Sequence, residues 1–105
     1  MTILEPNPSL QQIQEYVAMW EKERGFADES ALQKCLLLGE EIGELFKAIR
    51  KSSGIKVDPY STVNSVGEEL ADVLMFLVAI ANRYQIDLEA SLRATDKKNR
   101  NRIWN

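Results

Sequence analysis

The sequence contains no histidine, and it has a single cysteine among its 105 residues. Without histidine, Ser-His and Cys-His catalysis, His-ligated zinc and the Glu-x-x-His di-iron motif are all excluded. The lone Cys35 excludes an intramolecular disulfide and suits a reducing compartment, so we expect a cytoplasmic protein. Because Cys35 lies inside an apolar helical pattern, we expect a buried structural thiol and not a nucleophile.

Targeting and membrane signals are also missing. The N-terminus has neither a basic start nor an apolar run, which argues against a signal peptide, and no stretch approaches the ~20 apolar residues that span a bilayer. The net charge is −3, and no extended basic tract precedes the C-terminal region, which argues against a general nucleic-acid binder. With 45% hydrophobic and 28% charged residues, the chain has an ordinary globular composition. We therefore expect one domain over residues 1–105.

Apolar residues recur at helical spacing and no segment alternates like a strand, so the sequence predicts an all-α protein. Ser9 and Ser30 are each followed three residues later by glutamine, a capping-box pattern. The predicted segments are a helix from Ser9 to Gly25, a helix from Ser30 to Ser52, a loop from Ser52 to Ser61, a helix from Thr62–Ser65 to about Tyr84, and a helix capped by Asp87. We expect a four-helix bundle in which Leu88, Leu92 and Thr95 face inward.

Two acidic segments, EEIGE and EELAD, interrupt this apolar pattern. Helix positions i and i+3 lie about 60° apart, so Glu41 and Glu44 share one face, and Glu69 and Asp72 share another. Only Lys47 offers a local cation. If the second and third helices pack antiparallel, all four acids fall within about two turns of one another. Such a group of oxygen ligands favours Mg²⁺, Mn²⁺ or Ca²⁺, although the same acids also fit a solvated helix surface.

Three further features each allow two interpretations. Trp20 fits either a core or interface position or a stacking contact with a ligand base. The loop from Ser52 to Ser61 is either a substrate-contacting segment or a plain connection. Cations in the fourth helix either complement its dipole or fold back over the acidic cluster to bind a polyphosphate. These cations are Arg93, Lys97, Lys98, Arg100 and Arg102.

The acidic segments resemble a family signature. Glu40-Glu41-x-x-Glu44, a spacer of 24 residues and then Glu69-x-x-Asp72 are similar to the motif of the MazG-like all-α nucleoside triphosphate pyrophosphohydrolases. Similarity to the family continues at the C-terminal end of the chain, in Ile86-Asp87-Leu88-Glu89 and in Lys98-Asn99-x-x-Arg102. The resemblance covers roughly Leu36 to Arg102, whereas residues 1–30 match only loosely.

The resemblance implies an activity and a set of residue roles. It implies the MazG-like fold and Mg²⁺-dependent hydrolysis of (d)NTPs to the monophosphate and pyrophosphate by a homodimer or homotetramer, with Mn²⁺ as a substitute. Such activity removes unwanted nucleotides from the pool, and it needs no nucleic-acid or membrane partner. By position, the implied metal ligands are Glu41, Glu44, Glu69 and Asp72; the water-orienting catalytic residue is Glu40; and the phosphate contacts are Lys97, Lys98, Asn99 and Arg102.

Several points stay open at this level. Four carboxylates exceed what one Mg²⁺ needs, which suggests two or more ions in the presence of substrate. The preferred base, and attack at the α- or β-phosphorus, do not follow from the sequence. The alternative function is a catalytically silent helical module that binds a nucleotide or a protein.

Overall fold

A computed structural model describes residues 1–102 and contains four helices in that range. They are α1 (Leu10–Arg24), α2 (Ala31–Ser52), α3 (Val66–Arg83) and α4 (Leu88–Arg100). No strand occurs among residues 1–102, so the all-α prediction is confirmed. Within the same range, no helix has the length and apolar character needed to cross a membrane.

Local hydrogen bonds explain where the first two helices start. Ser9 Oγ accepts from the Gln12 backbone at 3.1 Å, and the Gln12 side chain accepts from the Ser9 backbone at 2.7 Å. Ser30 and Gln33 repeat this arrangement at 3.1 and 2.6 Å. Both predicted capping boxes are therefore confirmed. Gly25 ends α1 with φ +77°, in the left-handed region where a residue without Cβ pays no steric penalty.

At the start of α3, Ser65 and Glu68 form only part of a capping box. Ser65 Oγ accepts from the Glu68 backbone at 3.1 Å, as expected of an N-cap. The Glu68 carboxylate, however, accepts from the Ser65 hydroxyl and not from its backbone N–H. Asp87 caps α4 as predicted, because its Oδ1 accepts from the Ala90 backbone at 3.1 Å.

α2 and α3 form an antiparallel pair, and α3 also packs against α1. Their antiparallel direction follows from the contacts along the pair: Lys34 near the start of α2 meets Phe76, whereas Glu41 further along meets Glu69 near the start of α3. The buried core joins α1 to α3 through Val17, Val78 and Ala79. Residues packed around it are Ile13, Tyr16, Met75 and Leu88.

The fourth helix lies mainly against α1, and one glutamine ties its start to the body. Gln14 Oε1 accepts from the Leu88 backbone at 3.0 Å, while Gln14 Nε2 donates to Asn82 Oδ1 at 3.1 Å. Leu88 packs on the core as predicted, but Leu92 is 61% exposed and Thr95 is exposed, so their predicted inward orientation is wrong. None of the α4 residues is buried.

Large apolar side chains remain exposed on the outer faces of α2 and α3. They are Leu32, Leu36, Phe46 and Ile49 on α2, and Leu70, Leu74 and Leu77 on α3. Cys35 is exposed as well, so the expected burial of its thiol is wrong within a single chain. The radius of gyration is 16.5 Å, whereas a compact domain of about 100 residues has about 13 Å. The single chain is therefore open, with apolar faces that its own helices do not cover.

Candidate metal centre

The antiparallel pairing of α2 and α3 brings three acids together. Glu41 comes from the middle of α2, and Glu69 and Asp72 come from the first two turns of α3. One carboxylate oxygen from each lies within 4.8 Å of the others. Oxygens on opposite sides of one divalent cation are about 4–5 Å apart at the usual bond lengths of Mg²⁺ and Ca²⁺. We call Glu41, Glu69 and Asp72 the carboxylate triad.

Glu69 is the buried member of the triad. It is 1% exposed, and its Oε1 accepts a hydrogen bond from Asn64 Nδ2 at 3.0 Å. Its Oε2 is also buried and has no hydrogen-bond partner among residues 1–102. A buried carboxylate oxygen without a partner is costly, and a cation held by all three acids would remove that cost. The donor set, made entirely of carboxylate oxygens, fits a hard divalent cation.

The electrostatics of the triad favour the same conclusion. Burial raises the pKa of Glu41 to about 7, with further contributions from the adjacent Glu69 carboxylate and from the negative charges of Asp72 and Glu44. Burial also raises the pKa of Asp72, together with the charges of Glu69 and Glu68. Every charge that shifts these two pKa values is negative, so the site lacks the positive charge that would stabilise its carboxylates.

Glu44, the fourth predicted ligand, lies beside the triad and not in it. Its side chain is 42% exposed and pairs with Lys47 Nζ at 3.4 Å. Its negative charge still reaches Glu41 and contributes to the raised pKa there. The lysine three residues further along the same helix face holds this carboxylate toward solvent. Glu40, the predicted catalytic residue, is exposed on α2 and is not part of the triad.

The predicted phosphate contacts lie on a different part of the chain. Lys97, Lys98 and Asn99 are exposed on α4, and Arg102 is exposed just after it. None of them is among the residues that line the cavity next to the triad. In a single chain, α4 rests against α1, so of the two interpretations of these cations, folding back over the acids is not observed.

The cavity next to the triad was not predicted from the sequence. It has a volume of about 250 Å³ and includes Glu41 and Asp72 in its wall. The remaining lining residues are Val17, Trp20, Glu21, Lys34, Met75, Phe76 and Ala79. Trp20 also packs against Phe26, with ring centroids 5.8 Å apart. The guanidinium of Arg24 lies over the Trp20 ring, 4.6 Å from its centroid, so Trp20 lines the cavity and also takes part in packing.

A buried ion-pair network closes the cavity on the side away from the triad. Glu21 Oε2 accepts from Arg83 at 2.8 Å and lies 3.0 Å from Lys34 Nζ, and both Glu21 and Lys34 are 4% exposed. Burial alone would raise the pKa of Glu21, but hydrogen bonds from Arg83 and Lys34 and their positive charges outweigh it and lower the pKa. The sequence contained one indication that Lys34 belongs near the site. Lys34 lies seven residues before Glu41, which places both on the same face of α2.

Fold and site together define a class: an all-α protein with three clustered carboxylates next to a cavity that is lined in part by aromatic side chains. A family comparison names that class. The sequence model of the MazG nucleotide pyrophosphohydrolase domain matches residues 28–104, which include the whole triad. The chain belongs to this family, and the predicted family resemblance is confirmed. A comparison with curated protein sequences found no match.

Proposed function

We propose that this protein hydrolyses nucleoside triphosphates to the monophosphate and pyrophosphate with Mg²⁺, and that Mn²⁺ can replace Mg²⁺. Family membership supports nucleotide pyrophosphohydrolase activity in general. The observation that carries the metal dependence is the buried, unpartnered Oε2 of Glu69 within 4.8 Å of two further carboxylates. Nucleotide-pool cleaning and a cytoplasmic location stay predictions from the sequence.

In the proposed site, Glu41, Glu69 and Asp72 hold the cation. Asn64 orients Glu69 by its hydrogen bond to Oε1, which leaves Oε2 for the cation. Since the pKa of Glu41 is about 7, cation binding should displace a proton from Glu41 in part of the molecules at neutral pH. When bound, the cation would neutralise charge on phosphate oxygens and acidify water.

Two predicted acids have roles outside the triad. Glu44 lies close enough to influence Glu41, and rotation away from Lys47 would let it bind a second cation that arrives with the substrate. Glu40 lies one residue before Glu41 on α2, about 100° around the helix, and stays the proposed water-orienting residue.

The neighbouring cavity suits the nucleoside part of the substrate. It opens beside the triad, and its walls include the apolar or aromatic side chains of Trp20, Met75 and Phe76. A base can stack against such rings, while the triphosphate lies at the carboxylates. This arrangement connects the carboxylates and the base-binding surface within one α1–α2–α3 body.

We further propose that the protein is a homodimer or a homotetramer. Large apolar side chains are exposed along both α2 and α3, and soluble monomers rarely expose large contiguous apolar patches. A partner copy on these faces would bury them, and it would also bring a second α4. Lys97, Lys98, Asn99 and Arg102 stay proposed phosphate contacts, from α4 of the same chain or of the partner.

Pyrophosphate release from a panel of (d)NTPs, with Mg²⁺ and with EDTA, tests the proposal. Glu69→Gln should abolish release, because the amide cannot supply the anionic oxygen. The control is Glu15→Gln, which alters an exposed acid on α1 outside the triad and should retain activity. Release in EDTA, or full activity of Glu69→Gln, would contradict the proposal. Nucleotide binding without release from any substrate would instead identify the silent binding module.

A further inference from the structure

Lys34 and Arg83 are the two cations of the buried network. They differ in how many of their N–H donors have an acceptor within the protein. All five donor hydrogens of Arg83 can be assigned. They go to the backbone oxygens of Phe26, Glu29 and Ala79 and to both carboxylate oxygens of Glu21. Arg83 is therefore fully engaged within the protein and has no donor left for a ligand.

Lys34 is not fully engaged among residues 1–102. Its ammonium has three donor hydrogens, and two of them have carboxylate partners, Glu21 at 3.0 Å and Glu29 at 2.8 Å. Around the rest of the ammonium lie the rings of Phe26 and Phe76, with centroids 5.2 and 5.6 Å from Nζ. The third donor hydrogen has no hydrogen-bond acceptor among residues 1–102, and Lys34 lines the cavity next to the triad.

The position of Lys34 along α2 indicates which part of a nucleotide it meets. Lys34 and Glu41 line the same cavity and are seven residues apart, a separation of about 10 Å along the helix axis. A nucleotide with its phosphates at the triad would extend its base toward Lys34. The two carboxylates next to Lys34 already balance its charge and would repel a phosphate. A neutral acceptor fits the remaining donor better.

We propose that Lys34 selects the base of the nucleotide by donating a hydrogen bond to a ring carbonyl oxygen. This inference rests on the proposed function, because it places the phosphates at the triad. Guanine, cytosine, uracil, thymine and hypoxanthine all carry such an oxygen, and adenine carries none. Glu21, held by Arg83, is the positioning residue that fixes the Lys34 ammonium. The site therefore favours nucleotides with carbonyl-bearing bases over adenine nucleotides.

Kinetics with matched substrates test this selection. For the wild-type protein, kcat/KM with dGTP, dCTP or dUTP should exceed that with dATP by about 10- to 100-fold, the usual effect of one charge-assisted hydrogen bond. Lys34→Met should lower kcat/KM for the carbonyl-bearing substrates by about the same factor and leave that for dATP nearly unchanged. Lys22→Met, which changes an exposed lysine on α1, is the control and should leave every ratio unaltered. Equal use of dATP by the wild type, or an equal fall for all bases in Lys34→Met, would overturn the inference.

Calorimetric binding of dGMP, dCMP and dAMP to the full chain separates this inference from the proposed function. Tighter binding of dGMP and dCMP than of dAMP, lost in Lys34→Met, supports base selection even if no triphosphate is hydrolysed. Equal binding of all three overturns it even if hydrolysis occurs. Lys34→Met leaves Glu29 without its cation and Glu21 with Arg83 alone. Lys34→Met with Glu29→Gln therefore provides a second variant in which less charge is unbalanced. If neither variant folds, the wild-type comparison decides alone.

Discussion

Asn64 donates a hydrogen bond of 3.0 Å from its side-chain amide to Oε1 of Glu69, the buried member of the triad. This bond fixes one oxygen of the carboxylate and leaves the buried Oε2 for a cation. Residues that orient a metal ligand in this way commonly change metal affinity by about 10- to 100-fold when they are replaced. A loop residue immediately before the α3 cap therefore controls the geometry of the proposed metal centre.

The first prediction concerns this contact. Asn64→Ala should raise the Kd for Mn²⁺ by about 10-fold, because Glu69 loses the partner that orients it. Isothermal titration calorimetry measures this Kd directly. Thr62→Ala, an exposed change in the same loop, is the control and should bind Mn²⁺ as the wild type does. An unchanged Kd in Asn64→Ala would show that the hydrogen bond has no part in metal binding.

The second prediction concerns the pH dependence of stability without metal. The pKa of Glu41 is raised from its ordinary value of 4.5 to about 7, so between these values the folded protein binds more protons than the unfolded chain. Stability in EDTA should therefore fall as the pH rises from about 5.5 to 8. The lowered pKa of Glu21 has the opposite sign, but its effect is confined to pH values below its ordinary 4.5. Thermal melts over this range measure the trend.

Two additions make the pH experiment specific to the triad. Glu41→Gln should weaken the dependence, because it removes one of the two triad carboxyls whose pKa is raised. Mg²⁺ at pH 8 should raise the Tm of the wild type by mass action on the folded state, and it should raise the Tm of Glu41→Gln much less. A wild-type Tm in EDTA that is constant or rises from pH 5.5 to 8 would contradict the assignment of the raised pKa to Glu41.

The third prediction concerns the basic residues at the end of the chain. Lys98→Ala and Arg102→Ala should each lower kcat/KM by about 10- to 100-fold if these side chains stabilise phosphate charge in the transition state. The Mg²⁺-induced shift in Tm should stay as in the wild type, since neither residue belongs to the triad. Arg93→Ala, whose guanidinium pairs with Glu89 at 2.7 Å, is the matched control on α4. Unchanged kcat/KM in both variants would indicate that this segment is a solvent-exposed helix end that does not contact the substrate.

The fourth prediction concerns assembly. Light scattering at micromolar concentration should show at least a dimer, because a second copy would bury the exposed leucines of α2 and α3. Leu36→Glu places a charge on the outer face of α2 and should shift the protein toward the monomer. Tyr60→Glu introduces the same charge at an exposed aromatic residue in the loop after α2, and it should leave the assembly intact. A monomeric wild-type protein would contradict the proposed interface.

Local chemistry explains what could be predicted from the sequence alone. Ser9, Ser30 and Asp87 cap their helices with hydrogen bonds that span only three residues, so helix starts were readable without the fold. The acids at i,i+3 share a helix face for the same reason, and their match to the MazG pattern identified the family before any packing was known. Helix content, the acidic pairs and the class of protein were thus determined by residues close together in the chain.

Only the tertiary structure decided which of these residues meet. Glu41 joins Glu69 and Asp72 because α2 and α3 run antiparallel, whereas Glu44 pairs with Lys47, and helix periodicity alone does not show that Glu41 and not Glu44 completes the triad. Burial of Lys34 depends on Glu21 and Arg83, thirteen and forty-nine residues away in the printed sequence. Such contacts join different helices, so their energies depend on packing geometry, which helix periodicity leaves open.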